Sequence, residues 1–206
     1  ALLGWSSGTD QEMFTLDELI QQFSIQRVHK GGAKFDYEKA KWFNHEWIKR
    51  LPAAELISYV QPLLQEKGIT DFTSDELEKI IALVKERCTL LTDFVAQTEF
   101  FFRAPATIDT ASILPKWNEA KNLFFIELIR SWQLQNQWNA DDLHHAFQEL
   151  SAANDLKPGE LMLPLRIMLV GGKFGPGVFD IAAIIGKAAS IERIANALRQ
   201  LPHPHP

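Results

Sequence analysis

From Leu165 to Asp180 the chain reads L-R-I-M-L-V-G-G-K-F-G-P-G-V-F-D, an apolar run broken by glycines around Lys173, Phe174 and Pro176 before a helix begins. A glycine-rich turn feeding a helix is a ready-made anion site, because backbone N–H groups and the helix dipole both point at the ligand. The spacing is not that of a nucleotide loop, however. Gly171-Gly172-Lys173 has neither the G-x-x-x-x-G-K spacing nor the following Ser or Thr, and no G-x-G-x-x-G occurs. Other reactive side chains are scattered. His144 and His145 are adjacent, so on a helix they point about 100° apart and cannot share a metal as an i, i+4 pair would. They read as a solvated helix flank, and His203 and His205 lie in a Pro-His-Pro tail expected to be disordered. No G-x-S-x-G elbow exposes a nucleophile, and no carboxylate pair stands out from the acidic helical surface. Cys88 is the single cysteine, which excludes an internal disulfide or a cysteine-based metal site and fits a reducing, cytoplasmic setting. No catalytic, metal or cofactor constellation is expected within these residues.

The elements that must carry this loop read almost entirely as helix. Thr15-Leu-Asp-Glu18 and Thr73-Ser-Asp-Glu76 are capping boxes, in which the Thr hydroxyl accepts an N3 amide and the Glu reaches back. The first opens a helix with Leu16, Leu19, Ile20 and Phe23 on one apolar face; the second opens Leu77 to Cys88. Phe35 to Arg50, starting at Asp36, carries Ala40, Phe43, Trp47 and Ile48 inward. After Pro52 a further helix places Leu56, Tyr59, Val60, Leu63 and Leu64 inward and stops at Gly68. A helix through Phe102, a linker bracketed by Pro105 and Pro115, a long helix from Trp117 to Asn136 with Leu123, Ile126, Leu128 and Ile129, and one capped by Asn139 follow. Pro158-Gly159 marks a turn, and Gly186 ends the helix that begins near Phe179, leaving a last one to Leu201. The expectation is an all-α chain of roughly ten helices, with no repeat and no strand.

Composition narrows the partners. Of 206 residues, 46% are apolar and 23% charged, as in ordinary globular proteins, and no apolar run is long enough for a membrane span. The net charge of −5 argues against a generic nucleic-acid binder, DNA included, since sequence-independent affinity comes from Lys and Arg on phosphate. The two ends are nevertheless basic: seven Lys/Arg against three acids from Ser24 to Arg50, and five against two from Arg166 to Leu201. An RNA could touch both ends without adhering to the acidic middle. Six Trp and fourteen Phe are mainly core, but a few beside basic residues could stack on unpaired bases. The start, Ala1-Leu-Leu-Gly-Trp5, has no basic region before a long apolar stretch and so is not a signal peptide; the missing Met suggests a fragment.

Several of these segments fall in a known order. Ala1-Leu-Leu-Gly-Trp-Ser6, Phe14-Thr-Leu-Asp-Glu-Leu19 and Ala33-Lys-Phe-Asp-Tyr-Glu-Lys-Ala-Lys-Trp-Phe-Asn44, followed by Ile81 to Phe94, Leu165-Arg166, Pro176-Gly177 and Gly186-Lys187, resemble the region after the catalytic domain of bacterial glutamyl-tRNA synthetases. The resemblance spans roughly residues 1–201. It implies a helical stem-contact unit over residues 1–65, then a two-part α-helical anticodon-binding cage over 66–154 and 155–206. It also implies a class I parent enzyme, whose catalytic domain, absent here, binds ATP with Mg and glutamate and carries glutamate to tRNA(Glu). The fragment itself would be non-catalytic, holding no cofactor, and act as a cytoplasmic monomer.

Residue by residue, Arg87 matches the arginine that contacts the third anticodon base in discriminating members, and Arg166 matches a second anticodon-loop arginine. Gly175-Pro176-Gly177-Val178 matches the loop that packs on anticodon bases, where the family often has Thr-Pro-Gly-Leu; here the hydroxyl at position 175 is missing. Lys30, Lys34, Lys39 and Lys41 are assigned to the tRNA stem on charge alone. Two other readings stand beside this one: a stand-alone helical protein-interaction module, and a non-discriminating synthetase that also charges tRNA(Gln).

Overall fold

The computed structural model describes residues 3–32 and 34–202, so the tail histidines His203 and His205 and the opening Ala1-Leu2 lie outside the described residues. Ten α-helices follow in order: α1 (Leu16–Gln22), α2 (Tyr37–Arg50), α3 (Ala53–Glu66), α4 (Ser74–Val84), α5 (Asp93–Phe102), α6 (Thr110–Ile113), α7 (Glu119–Leu134), α8 (Ala140–Ala153), α9 (Pro158–Val170) and α10 (Val178–Gln200). Among the described residues the only β-type pairing is an isolated antiparallel bridge between Trp5 and Val28.

Helix starts follow the local chemistry. Thr15 and Thr73 both form complete capping boxes with Glu18 and Glu76, and Asp36, Asn118 and Asn139 each accept an N3 amide. α3 ends at a Schellman turn: the Ile69 N–H reaches the Leu64 carbonyl at 3.0 Å and that of Gly68 reaches Gln65 at 2.9 Å, with Ile69 and Leu64 both buried. α10 is broken at Gly186, whose φ of 84° and ψ of 168° are not helical, where a stop was expected. α6 lies between Pro105 and Pro115, where a linker is expected: Asp109 caps it by accepting the Ser112 N–H at 3.2 Å.

One core runs through most of the chain. α3, α4 and α5 pack through Leu56, Val60, Leu64, Leu77, Ile81 and Phe94, and α7 to α10 through Phe124, Leu128, Phe147, Leu165 and Ile194. α3 therefore shares the core of the elements that follow it. On α7 the inward face is Phe124, Phe125, Leu128 and Trp132, while Leu123 is half exposed. A small separate cluster holds the N-terminal region, with the Trp5 ring 6.0 Å from Phe14 and 5.8 Å from Phe23. The apolar face of α1 is not buried: Leu16 and Ile20 are 73% and 69% exposed, and on α2 only Ile48 is buried. Amphipathic spacing marks a face that could pack; it does not supply the neighbour that covers it.

The second capping box yields a direct test. The Glu76 carboxylate accepts the backbone N–H of Thr73 at 2.8 Å and its hydroxyl at 2.9 Å, and these bonds hold it below the usual carboxylate range. Thr73→Ala is expected to lower the free energy of unfolding by about 1 kcal/mol at neutral pH, measured by urea titration. Because the folded carboxylate titrates below its unfolded value of 4.5, its contribution is complete above that pH and is lost as the pH falls through the folded value. The gap between the two proteins should therefore narrow in acid; a gap that is constant down to pH ~3 would show the box to be electrostatically silent.

Candidate functional site

Two arginines from distant parts of the chain lie close enough for the charge of one to act on the other. Arg87 ends the 3₁₀ turn Lys85–Arg87 after α4; it is exposed, and its side chain makes no hydrogen bond or ion pair among the described residues. Arg166 lies on α9 and is partly buried. Burial, and then the charge of Arg87, push the Arg166 guanidinium below its ordinary value. Two cations held close enough to repel, with no carboxylate bonded to either among the described residues, form a site that an anionic or acceptor-rich ligand would relieve.

Arg166 also shapes the glycine loop. Its Nη1 donates to the carbonyls of Phe174 at 3.2 Å, Gly175 at 3.1 Å and Pro176 at 2.6 Å. A guanidinium carries five N–H donors, so those on Nε and Nη2 remain for a ligand. The loop opens at Gly171, which caps α9 with φ 91°; a β-carbon there would meet Pro105 Cβ at 2.8 Å and the Thr107 carbonyl at 3.0 Å. Gly175 has φ 98°, and a β-carbon would meet Phe100 at 3.2 Å and Ile181 at 3.3 Å. The missing hydroxyl at this position thus has a local cause: the backbone is left-handed, and two core side chains fill the space.

The loop's residues divide by face. Gly175, Pro176 and Val178 are buried, whereas Lys173, Phe174 and Gly177 face outward. A base set on this loop would meet backbone and Phe174 rather than the Pro176 or Val178 side chains. Phe174 was not singled out from the sequence, although a ring flanked by glycines in an otherwise small-residue turn is the signal for it. Its ring is 49% exposed, packs 5.8 Å from Phe100, and borders an open cleft of about 360 Å³ with Arg103, Pro105 and Val170.

The four lysines expected to meet a tRNA stem are divided. Lys39 pairs with Glu12, and Lys41 pairs with Glu38 at 3.0 Å and lies 4.7 Å from the Tyr37 ring, so both are already neutralised. Lys30 and Lys34 are exposed and without a bonded partner among the described residues. No group of three or more His, Cys, Asp or Glu that could hold a metal occurs among the described residues, and none of the helices there is long and apolar enough to cross a membrane. His144 and His145 are exposed, as their place on a helix flank suggests, and the His144 ring stacks 4.6 Å from that of Phe179.

Residues 53–198 match the protein family described as the anticodon binding domain. The glutamate–tRNA ligase of Flavobacterium johnsoniae is 38% identical over 201 residues, 98% of this chain and 40% of that protein. That of Porphyromonas gingivalis is 36% identical with the same coverage. A crystal structure of a glutamate tRNA ligase from Elizabethkingia meningosepticum, in complex with its amino acid, superposes with a TM-score of 0.91 at 33% identity, over 98% of this chain and 40% of that one. The glutamate–tRNA synthetase of Elizabethkingia anophelis gives 0.87 at 33% identity, over 96% and 39%. The chain spans about 40% of the length of the curated relatives it matches. It belongs to the anticodon-binding-domain family and is homologous to the C-terminal part of glutamyl-tRNA synthetase.

Proposed function

We propose that this chain is the tRNA(Glu)-reading part of a glutamyl-tRNA synthetase, with Arg87 on the third anticodon base and Arg166 and the loop of Gly175, Pro176, Gly177 and Val178 around the others. The observation that carries this reading is an exposed, unbonded Arg87 whose charge is felt at Arg166, the arginine that holds the glycine loop through its carbonyls. An arginine fork donates to base acceptors in a fixed plane, which a lysine does not. Beside them, the outward ring of Phe174 offers a stacking surface for an unpaired base. Lys30 and Lys34 then fall to the tRNA stem, while Lys39 and Lys41 would first have to leave their acidic partners. The chemistry of ATP with Mg and glutamate belongs to the remaining part of the parent enzyme, and this chain alone acts as a monomeric, non-catalytic cytoplasmic tRNA binder. The interaction-module alternative has no support in the family match.

The test is a titration of the chain with tRNA(Glu) transcript at two salt concentrations, beside a transcript whose third anticodon base is changed from cytosine to guanine. Binding that weakens with salt and falls about tenfold on the base change is expected. Equal affinity for the two transcripts would remove Arg87 from the reading and favour a non-discriminating enzyme. No binding at all would remove the tRNA role.

A further inference from the structure

The turn that carries Arg87 is held from two sides, by Asp93 on α5 and by groups at α2 that precede the family match. After the 3₁₀ turn the chain bends through Cys88, Thr89 and Leu90 into α5. The N–H groups of Thr89 and Leu90 both donate to Asp93 Oδ2, at 2.9 and 2.8 Å. The two carbonyls of the same bend are met from α2: Asn44 Nδ2 donates to the Thr89 carbonyl, and His45 Nδ1 faces the Cys88 carbonyl at 2.9 Å. Lys85, two residues before Arg87, reaches back across the junction and donates to the carbonyls of Lys49 and Leu51, both at 2.9 Å, at the end of α2. The Cys88 side chain is fully buried, with its thiol pushed up to about 12 by burial and by Asp93. The backbone on both sides of Arg87 is therefore fixed, and the guanidinium alone is left free.

Half of this clamp belongs to the helix that precedes the family match at residue 53. We infer that Asn44 and His45 are positioning residues for Arg87: the N-terminal unit, through two bonds to the bend at Cys88 and Thr89, sets where the base-reading guanidinium stands. The inference rests on the role given to Arg87 above. A fork that must meet one base edge and refuse another tolerates only about 0.5 Å of misplacement. A loosened bend would therefore cost discrimination before it costs overall binding, because phosphate contacts are made elsewhere and are indifferent to such a shift. Asn44 is the informative position. Asn44→Asp keeps the shape but turns a donor into an acceptor facing the Thr89 carbonyl, so the bond is replaced by repulsion. Asn44→Gln keeps the carboxamide donor.

The experiment measures the affinity ratio between the cytosine and guanine transcripts for the full 206-residue chain and for Asn44→Asp, Asn44→Gln and His45→Ala, with thermal unfolding followed in parallel. The unaltered chain is expected to show a ratio of about ten, Asn44→Asp and His45→Ala a ratio of about two, and Asn44→Gln, whose donor survives one methylene further out, a value between them, with the salt dependence of binding unchanged throughout. A purely structural role would lower the melting temperature or the active fraction and leave the ratio intact. Two separate variants break the clamp, so one that fails to fold leaves the other as the measurement. A full ratio in a folded clamp variant overturns the inference alone. Absence of discrimination in the unaltered chain overturns the reading of Arg87 and this inference with it.

Discussion

Arg87→Leu is expected to weaken binding of tRNA(Glu) by about tenfold and to reduce the preference for cytosine over guanine at the third anticodon base to near unity, since one good bidentate base contact contributes about 1–3 kcal/mol of discrimination. The prediction is sharp because the side chain holds nothing else. Arg87 is exposed and makes no bond among the described residues, so its removal leaves no buried acceptor without a donor and should not change the thermal unfolding midpoint. Burial is the larger cause that holds Arg166 below its ordinary value, and loss of the Arg87 charge removes the smaller one. Arg87→Lys separates charge from geometry. It keeps the cation and the salt dependence, but a point charge cannot reproduce the planar fork, so most of the base preference should still be lost. Full preference in Arg87→Lys would show that the contact is electrostatic rather than geometric.

The largest stability effect is expected at Arg193. This residue on α10 is 6% exposed, and its Nη1 donates to the carbonyl of Phe100 at 2.6 Å and that of Leu169 at 2.9 Å. Those carbonyls lie in the last turns of α5 and α9, whose C-terminal C=O groups have no partner within their own helices. One guanidinium from a third helix thus closes two helix ends and places positive charge at the negative end of both dipoles. Its burial has a cost: the Nε is left without a partner, and desolvation holds the group below its ordinary value. Arg193→Met removes that cost but strands two buried acceptors, each unfavourable by about 1–3 kcal/mol. The net expectation is a loss of about 3 kcal/mol, which in a chain of this size lowers the unfolding midpoint by about 6–12 °C. Arg193→Lys should recover part of this. A midpoint unchanged in Arg193→Met would mean that the freed carbonyls find other donors. Leu169 lies two residues before Gly171, so the same variant should also weaken tRNA binding through the glycine loop.

Features governed by neighbours in sequence were readable without coordinates. Thr15, Asp36, Thr73 and Asn139 act on an amide three residues away, and Gly186 breaks a helix by its own backbone. The four residues of α6 are too few to show a period, which is why Asp109 passed as part of a linker. The exposed face of α1 carries the same pattern as a buried one, because periodicity describes a surface and says nothing of what lies on it. At the site, Arg87 and Arg166 stood out only through the resemblance of their surroundings to a known family. Their proximity joins α9 to a turn some eighty residues earlier, and no spacing rule reaches that far. The bonds of Asn44 and His45 to the bend after Arg87 span 45 and 43 residues, and Arg193 meets Phe100 across 93. Long-range donors of this kind look like ordinary surface residues until the fold brings their acceptors to them.

The left-handed backbone at Gly175 bears on how this loop can change over time. With Phe100 and Ile181 packed where a side chain would begin, a change from glycine to threonine at this position meets backbone strain and tight contacts with both neighbours. Gaining a hydroxyl at 175 therefore asks the backbone to leave its left-handed conformation and the side chains at 100 and 181 to yield by a few tenths of an ångström. A change of ligand preference engineered into this loop is reached more directly through Lys173 or Phe174, which face open solvent.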